Sequence, residues 1–356
     1  LNFTSGTTGN PKGALQAHRS MLGHLPGIAL GFDSFPQPGD LMWSPADWAW
    51  LAGLMDVLMP AWYHGVPVLT FRAPRFDPEQ AFAMMGRHRV RTALLTPTML
   101  RLMRQVDDPV GRYDVRLRVI ISGGESVGKD LHEWGTGALR APINELFGQT
   151  ECNLVLGSNA AIMPVKFGSI GRAIPGHVAA IVDDAGAPLP AGDLGNIAIR
   201  SPDPVMMLEY WNNPDATRAK FVNGWLMTGD LGRCDEDGYF WFHGRADDVI
   251  TSAGYRIGPS EIEDALARHP AVVMSAVVGV PDPVRTESIK AFVVLRPDQT
   301  ADAALAESIR DFVRAHLAKH EVPREIEFVT ALPMTTTGKI LRRTLRDAER
   351  AKKAAE

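Results

Sequence analysis

Two cysteines, Cys152 and Cys234, are all that the 356 residues contain, too few for a disulfide framework. Neither sign of charge dominates. The 37 Lys and Arg face 41 Asp and Glu, and a formal net charge of −4 gives no general attraction to nucleic acid or anionic lipid. Any polyanion must therefore be held by a local site. No apolar run reaches the roughly 20 residues of a membrane helix, and the longest, 271–280, is about half that. No basic segment followed by an apolar one opens the chain, so the expectation is a protein of the cytoplasm with no membrane span. Repeats, charge blocks and low-complexity tracts are also missing, and 33 Gly with 26 Pro stay below the level of a disordered or collagen-like chain. What is present is a globular composition, 45% apolar, on a length that at roughly 100 to 200 residues per domain suggests two or three domains.

Up to about residue 167, strand-like apolar runs at 66–71, 92–95 and 117–121 alternate with helical segments, the pattern of an α/β layer structure. Between 177 and 200 the pattern changes: 177–182 and 196–200 read as a β-hairpin with a long connection. A β-rich subdomain is expected over about 170–246. After Asp247 the sequence predicts a compact α+β unit, with helices near 260–268 and 303–318 and strands near 272–280 and 290–295. In the later helix Ile309, Phe312, Val313 and Leu317 share one face, which is core packing. The boundaries are thus 1–246 for a large domain and 247–356 for a small one.

Chemistry is concentrated in a few stretches. Thr4-Ser5-Gly6-Thr7-Thr8-Gly9-Asn10-Pro11-Lys12-Gly13 follows an apolar strand end and offers hydroxyl donors, close backbone approach and one positive charge, which together suit a phosphate chain. It is not a Walker A loop, because Gly13 stands where Ser or Thr should follow the lysine. The run from Gly123 to Asp130 imitates that loop but places Asp130 at the hydroxyl position, where a carboxylate would repel phosphate. The same run contains Gly124-Glu125-Ser126-Val127-Gly128, a formal G-x-S-x-G elbow, so a serine hydrolase using Ser126 is one alternative. Against it, four residues separate Ser126 from the strand ending at Ile121. Thr228-Gly229-Asp230 could offer a carboxylate to a ribose. Arg245, Asp247, Asp248 and Arg256 read either as a nucleotide contact or as a solvated charge cluster. His316 and His320 have the i, i+4 spacing of zinc ligands but no third ligand, and read as a solvated helix face. Lys339 ends a Thr/Gly loop and by composition alone reads as solvent-exposed.

Taken in order, these segments, with Glu145-Leu146-Phe147-Gly148-Gln149-Thr150-Glu151 between them, resemble the adenylate-forming superfamily of acyl-CoA synthetases, luciferases and peptide-synthetase adenylation domains. The resemblance covers essentially the whole chain, with the medium-chain and aryl acyl-CoA synthetases most similar. It implies an α/β AMP-binding domain with a β-rich subdomain, followed by a mobile α+β domain. ATP, Mg²⁺ and coenzyme A become the expected cofactors, and a carboxylic acid the expected partner. By resemblance Thr4, Ser5, Gly6, Thr7, Thr8, Gly9 and Lys12 hold the β- and γ-phosphates. Thr150 holds the α-phosphate and Glu151 the metal. Adenine lies against Phe147 and Gly124 with Glu145 near its amino group, Asp230 takes the ribose, and Gly123, Glu125, Gly148, Gln149, Arg245 and Arg256 are further nucleotide contacts. Lys339 supplies the positive charge for adenylation, Asp247 is the hinge, and Gly254 faces the pantetheine tunnel.

In the resemblance the acetate-using branch carries tryptophan at the position of Gly148, so glycine implies an acyl pocket open to a medium-chain or aryl group, lined also by the segment of Trp48 and Trp50. Met334, Thr337, Ser126 and Cys152 are mild departures from the pattern. The resemblance also implies a large subdomain ahead of the phosphate loop that these residues do not include. The expected protein is thus an N-terminally incomplete synthetase, and a second alternative is an inactive remnant that binds nucleotide or coenzyme A without turnover.

Overall fold

Short, mostly buried strands make the sheet on which the site is hung. The computed structural model describes residues 1–4, 11–71, 76–125, 127–334 and 340–355, so the expectations for Ser5, Gly6, Thr7, Thr8, Gly9, Ser126 and Lys339 lie outside the described residues. The chain divides into two units, one of Leu1–Thr228 with Gly232–Phe242, the other of Gly229–Leu231 with His243–Glu356.

In the first unit β1 (Asn2–Phe3) and β2 (Gly13–Leu15) pair antiparallel, Asn2 opposite Ala14. Then β3 (Met42–Trp43), β4 (Val68–Leu69), β5 (Thr92–Leu94), β6 (Val119–Gly123) and β7 (Ile143–Gln149) lie parallel in the order β4-β3-β5-β6-β7. Alternation of side chains sends Trp43, Ala93 and Ile120 to one face and Met42, Leu94 and Ile121 to the other. Helices cover both faces. On the second face α1 (Arg19–Gly31) contributes Ile28, while α2 (Leu51–Gly53), a π-helical turn Leu54–Leu58 and α3 (Met59–His64) contribute Val57 and Ala61. On the first, α4 (Pro78–His88), α5 (Pro97–Met103) and α7 (Gly128–Ala138) supply Phe82, Met85, Leu100, Met103 and Leu131, and α6 (Pro109–Tyr113) packs Tyr113 against them. Each such side chain removed from water stabilises by about 1.5–3 kcal/mol, so the doubly covered sheet, rather than helix propensity, holds these short strands. The run 66–71 yields only the two residues of β4, and β6 begins two residues later than its apolar run and continues through Gly123.

Beyond β7 the sheet turns antiparallel through β8 (Cys152–Gly157) and β9 (Ser169–Ala173). The expected hairpin is β10 (Ala179–Val182) with β11 (Gly195–Arg200), Ile181 opposite Ile197. β12 (Glu209–Tyr210) adds to β2, α8 (Pro214–Ala219) follows, and β13 (Phe221–Val222), β14 (Trp225–Cys234) and β15 (Phe240–Arg245) complete the β-rich region.

The second unit is α+β. β16 (Ile250–Ser252) and β17 (Tyr255–Ile257) form a tight hairpin, α9 (Pro259–Ala267) follows, and β18 (Val272–Asp282) and β19 (Thr286–Leu295) pair antiparallel along their length. Asp302 caps α10 (Ala303–His316), accepting from Leu305 N at 2.8 Å, and Ile309 and Val313 bury the face expected of it. β20 (Glu325–Phe328) adds parallel to β19, and α11 (Arg342–Ala355) closes the unit. Lys290 on β19 is buried and meets Glu325 at 2.7 Å and Glu327 and Glu349 at 2.8 Å; burial alone would lower its pKa, but together those carboxylates outweigh it and hold the ammonium well above the usual lysine range. This cage pins α11, the helix that follows the Lys339 loop. No described helix is long and apolar enough to cross a membrane.

Candidate functional site

The hydroxyl-rich loop is tied off where β1 meets β2. Thr4 N donates to the Lys12 carbonyl at 2.9 Å, and Lys12 N donates to Thr4 Oγ1 at 3.3 Å. Because β12 lies on the other edge of β2, with Tyr210 opposite Ala14, the tyrosine is brought to the base of the loop. Lys12 Nζ stands 5.1 Å from the centre of the Tyr210 ring, and the Tyr210 hydroxyl donates to Glu151 Oε1. Lys12 is thereby linked through one aromatic residue to Glu151.

The turn between β7 and β8 is fastened by its backbone. Gln16 Nε2 donates to the Thr150 carbonyl at 2.5 Å, and Met207 N donates to the Glu151 carbonyl at 2.8 Å. Glu151 Oε2 accepts no hydrogen bond among the described residues. A carboxylate oxygen of that kind suits Mg²⁺, which binds through one or two carboxylates and takes its other ligands from water and substrate phosphate. Among the described residues no group of three or more His, Cys, Asp or Glu could hold a metal ion by itself. A cavity of about 380 Å³ has Lys12, Gly13, Phe3 and Trp211 in its walls.

Other residues expected near the nucleotide have protein partners. Glu125 accepts from Thr98 Oγ1 at 2.9 Å and pairs with Arg101 at 3.3 Å, so its carboxylate is committed to α5. Glu145, buried on β7, meets His132 Nε2 at 3.1 Å and accepts from Val127 N at 3.4 Å. Asp130, which spoils the Walker-like run, is ion-paired to Arg104. Gly123 ends β6, Gly124 is exposed, and Phe147, Gly148 and Gln149 are half-buried at the end of β7.

Of the two tryptophans expected at the acyl group, Trp50 is half-buried just ahead of α2 and Trp48 is exposed, whereas Trp43 and Trp225 are buried in the core. Gly148 has a cause of its own. A Cβ there would lie 2.2 Å from Leu154 N and 2.7 Å from Asn153 Cα, so the backbone of β8 already excludes any side chain, whatever the pocket needs.

In the second unit Asp230, 3% exposed, meets Arg245 Nε at 3.3 Å, and the same nitrogen lies 3.5 Å from Asp247 Oδ1. Arg346 of α11 donates to the Asp247 carbonyl at 3.1 Å and to Asp248 Oδ1 at 2.8 Å. Arg256 is exposed on β17 opposite Thr251. Ala253 and Gly254, at φ 49° and 86°, make the two-residue turn between β16 and β17, whose twist requires positive φ at both positions. Nothing lies within 4 Å of a Cβ at Gly254, so within this unit its demand is conformational rather than steric.

A second cavity, about 350 Å³, lies wholly in this unit, with Arg285, Arg310, Arg314, Lys319, His320 and Arg324 in its wall. Arg310 and Arg314 are drawn to Glu307 and Asp311, while Arg285, Lys319 and Arg324 form no ion pair among the described residues. The His320 ring stacks on Tyr255 with centroids 4.1 Å apart. His316 instead turns Nδ1 to the Phe312 carbonyl at 2.7 Å, so the two histidines have different local roles.

Sequence reasoning missed Gln16, Tyr210 and this cationic cavity. Tyr210 reaches the site by pairing β12 with β2, a long-range contact that no local pattern reports. The cavity's cations are spread from Arg285 to Arg324 without forming a charge block.

A doubly covered parallel sheet, with Lys12 of the neighbouring β1–β2–β12 sheet linked through Tyr210 to Glu151 in the β7–β8 turn, is an arrangement suited to an α/β protein that handles phosphate. The chain belongs to the AMP-binding enzyme family, which it matches over residues 1–211, and residues 261–339 match the C-terminal domain of AMP-binding enzymes. It is 40% identical over 349 residues to the acetyl-coenzyme A synthetase of Bacillus subtilis (strain 168), which covers 97% of this chain and 60% of that protein. It is 39% identical over 356 residues to the mitochondrial acyl-coenzyme A synthetase ACSM5 of Rattus norvegicus, covering 98% of this chain and 61% of that protein. The chain thus spans about three fifths of the length of these curated relatives. Among solved structures, the anthranilate CoA ligase AuaEII in complex with anthranoyl-AMP superposes with a TM-score of 0.91 at 33% identity, over 99% of this chain and 68% of that one. A benzoate CoA ligase from Burkholderia xenovorans LB400 gives 0.86 at 31% identity, over 94% and 67%.

Proposed function

We propose that the chain carries the activity of an AMP-forming acyl-CoA synthetase. A carboxylate oxygen attacks the α-phosphorus of ATP and pyrophosphate leaves. The sulfur of coenzyme A then attacks the acyl carbon, and AMP leaves with the oxygen that made the first attack. The observation that supports this reading is the link from Lys12 through Tyr210 to Glu151, which brings a cation and a metal-type carboxylate together.

Thr4, Ser5, Gly6, Thr7, Thr8, Gly9 and Lys12 would hold the β- and γ-phosphates, and Thr150 the α-phosphate. Glu151 would hold Mg²⁺, which neutralises phosphate charge when bound. Gly123, Gly124, Phe147, Gly148 and Gln149 would border the adenine, with Glu125 and Glu145 shaping its surroundings through their own partners. Asp230 would take the ribose beside Arg245, with Arg256 a further phosphate contact. Lys339 would oppose charge building on the α-phosphoryl oxygens, Asp247 would be the pivot, and Gly254 would border the thiol's path. The cavity walled by Arg285, Lys319 and Arg324 suits the phosphates of coenzyme A, because those three cations form no ion pair among the described residues.

A medium-chain or aryl acid is the favoured substrate; for the aryl acid the support is that the solved relatives include an anthranilate CoA ligase in complex with anthranoyl-AMP and a benzoate CoA ligase. Pyrophosphate release with ATP and acetate, octanoate, benzoate or anthranilate tests the reading. Release is expected with octanoate or an aryl acid, and Arg285→Glu with Arg324→Glu should raise the coenzyme A concentration needed for thioester formation by about tenfold. ATP binding with no acid-dependent pyrophosphate would leave the inactive remnant as the answer.

A further inference from the structure

His24, Asp56 and Asn153 form a buried polar cluster that the proposed chemistry does not use. They come from three elements: α1, the π-helical turn Leu54–Leu58, and β8, and they are 2%, 4% and 9% exposed. Their hydrogen atoms can be assigned by elimination. His24 Nδ1 lies 2.5 Å from the Ser20 carbonyl, which can only accept, so Nδ1 carries a proton. Burial pulls this imidazole down to about 4, partly offset by the Ser20 carbonyl, so the ring is neutral at ordinary pH and Nε2 is an acceptor. Asn153 Nδ2 stands 3.1 Å from that Nε2 and 2.7 Å from Asp56 Oδ1. Two amide hydrogens thus meet two acceptors, which also fixes which way the Asn153 amide points.

Besides the bonds from Gln16 and Met207 to the Thr150 and Glu151 carbonyls, the segment this amide anchors has an imperfect ladder of its own. Asn153 follows Glu151 by two residues, and the pairing of β7 with β8 is irregular between Phe147 and Gln149. Leu154 sits at φ 59°, a conformation that a leucine adopts only when its surroundings impose it. Gly148 crosses directly over Asn153 Cα and Leu154 N. We propose that Asp56 and His24 are positioning residues for the turn Gly148–Glu151, acting through the Asn153 amide to hold Thr150 and Glu151 where a nucleotide's phosphates and metal would meet them. The π-helical turn then has a use, since its wider winding carries Asp56 and packs it against β8. The structural part stands on these bonds alone, and only its consequence for nucleotide binding rests on the function proposed above.

The test uses the full chain, with hydrogen exchange of the 148–154 amides and calorimetric titration with MgATP. Asp56→Leu leaves one Asn153 hydrogen without an acceptor, and it should speed exchange in 148–154 by about tenfold and weaken MgATP by a similar factor. Asp56→Asn keeps an acceptor oxygen and should restore both to within about threefold of the parent, a rescue that a merely space-filling role would not distinguish from leucine. If Asp56→Leu does not fold, Asn153→Ala removes the same link and carries the same expectation. Unchanged exchange in 148–154 in the variant that folds would overturn the proposal. Faster exchange in a protein whose parent form binds no MgATP would support the positioning role and reject the nucleotide function.

Discussion

Gly148 illustrates how one residue can have two causes. Its position in the motif suggested an open acyl pocket, yet β8 passes so close that a methyl group would meet backbone at 2.2 Å. Gly148→Ala should therefore destabilise by about 1–3 kcal/mol, as overpacking does, and lower the midpoint of thermal unfolding by several degrees. An unchanged midpoint would mean that β8 can move away, and the pocket argument would regain its weight. Single residues were the least legible scale of the sequence. Glu125 and Glu145 carry the right charge for a ligand site, but Thr98, Arg101 and His132 satisfy them within the protein. Composition cannot tell a carboxylate that awaits a ligand from one that already has a partner, because the partner lies elsewhere in the chain.

Elements were read better where their pattern is long. The β18–β19 pair and α10 agree with the apolar runs at 272–280 and 290–295 and with the face of Ile309 and Val313. Two-residue strands such as β3 and β4 carry too little periodicity to be seen and exist because the sheet recruits them. The π-helical turn gave no signal either, and its Asp56 has a pH consequence. Burial in apolar surroundings pushes this carboxyl up to about 7, while the Asn153 hydrogen bond pulls modestly the other way. Between the ordinary value near 4 and about 7, the folded chain keeps a proton on Asp56 that the unfolded chain has lost. Its contribution to stability is therefore present below that window and lost as pH rises through it. His24, with a lowered value, contributes in the opposite sense, but it is present in both parent and Asp56→Asn and cancels in the difference. Urea unfolding of the two proteins should show the variant gaining on the parent, by on the order of a few kcal/mol, between pH 4 and pH 8. A constant gap would contradict the upward shift that burial gives this carboxyl.

At the scale of the whole molecule, the order of the motifs was the most legible feature, since it selects a family without reference to any single contact. The structure adds long-range ties: β12 laid on β2, Gln16 on Thr150, and a caged Lys290 holding the helix that follows Lys339. Each joins segments far apart in sequence, which is why no local pattern announced them. The central claim is that a carboxylate oxygen of the acid becomes bonded to the α-phosphorus of ATP. The most direct measurement supplies benzoate or octanoate labelled with ¹⁸O in its carboxylate, together with MgATP and coenzyme A, and weighs the AMP formed. AMP carrying one ¹⁸O is the expected result, because the thiol displaces AMP from the acyl carbon and leaves that oxygen on phosphorus. Unlabelled AMP, or ADP as the nucleotide product, would contradict the account.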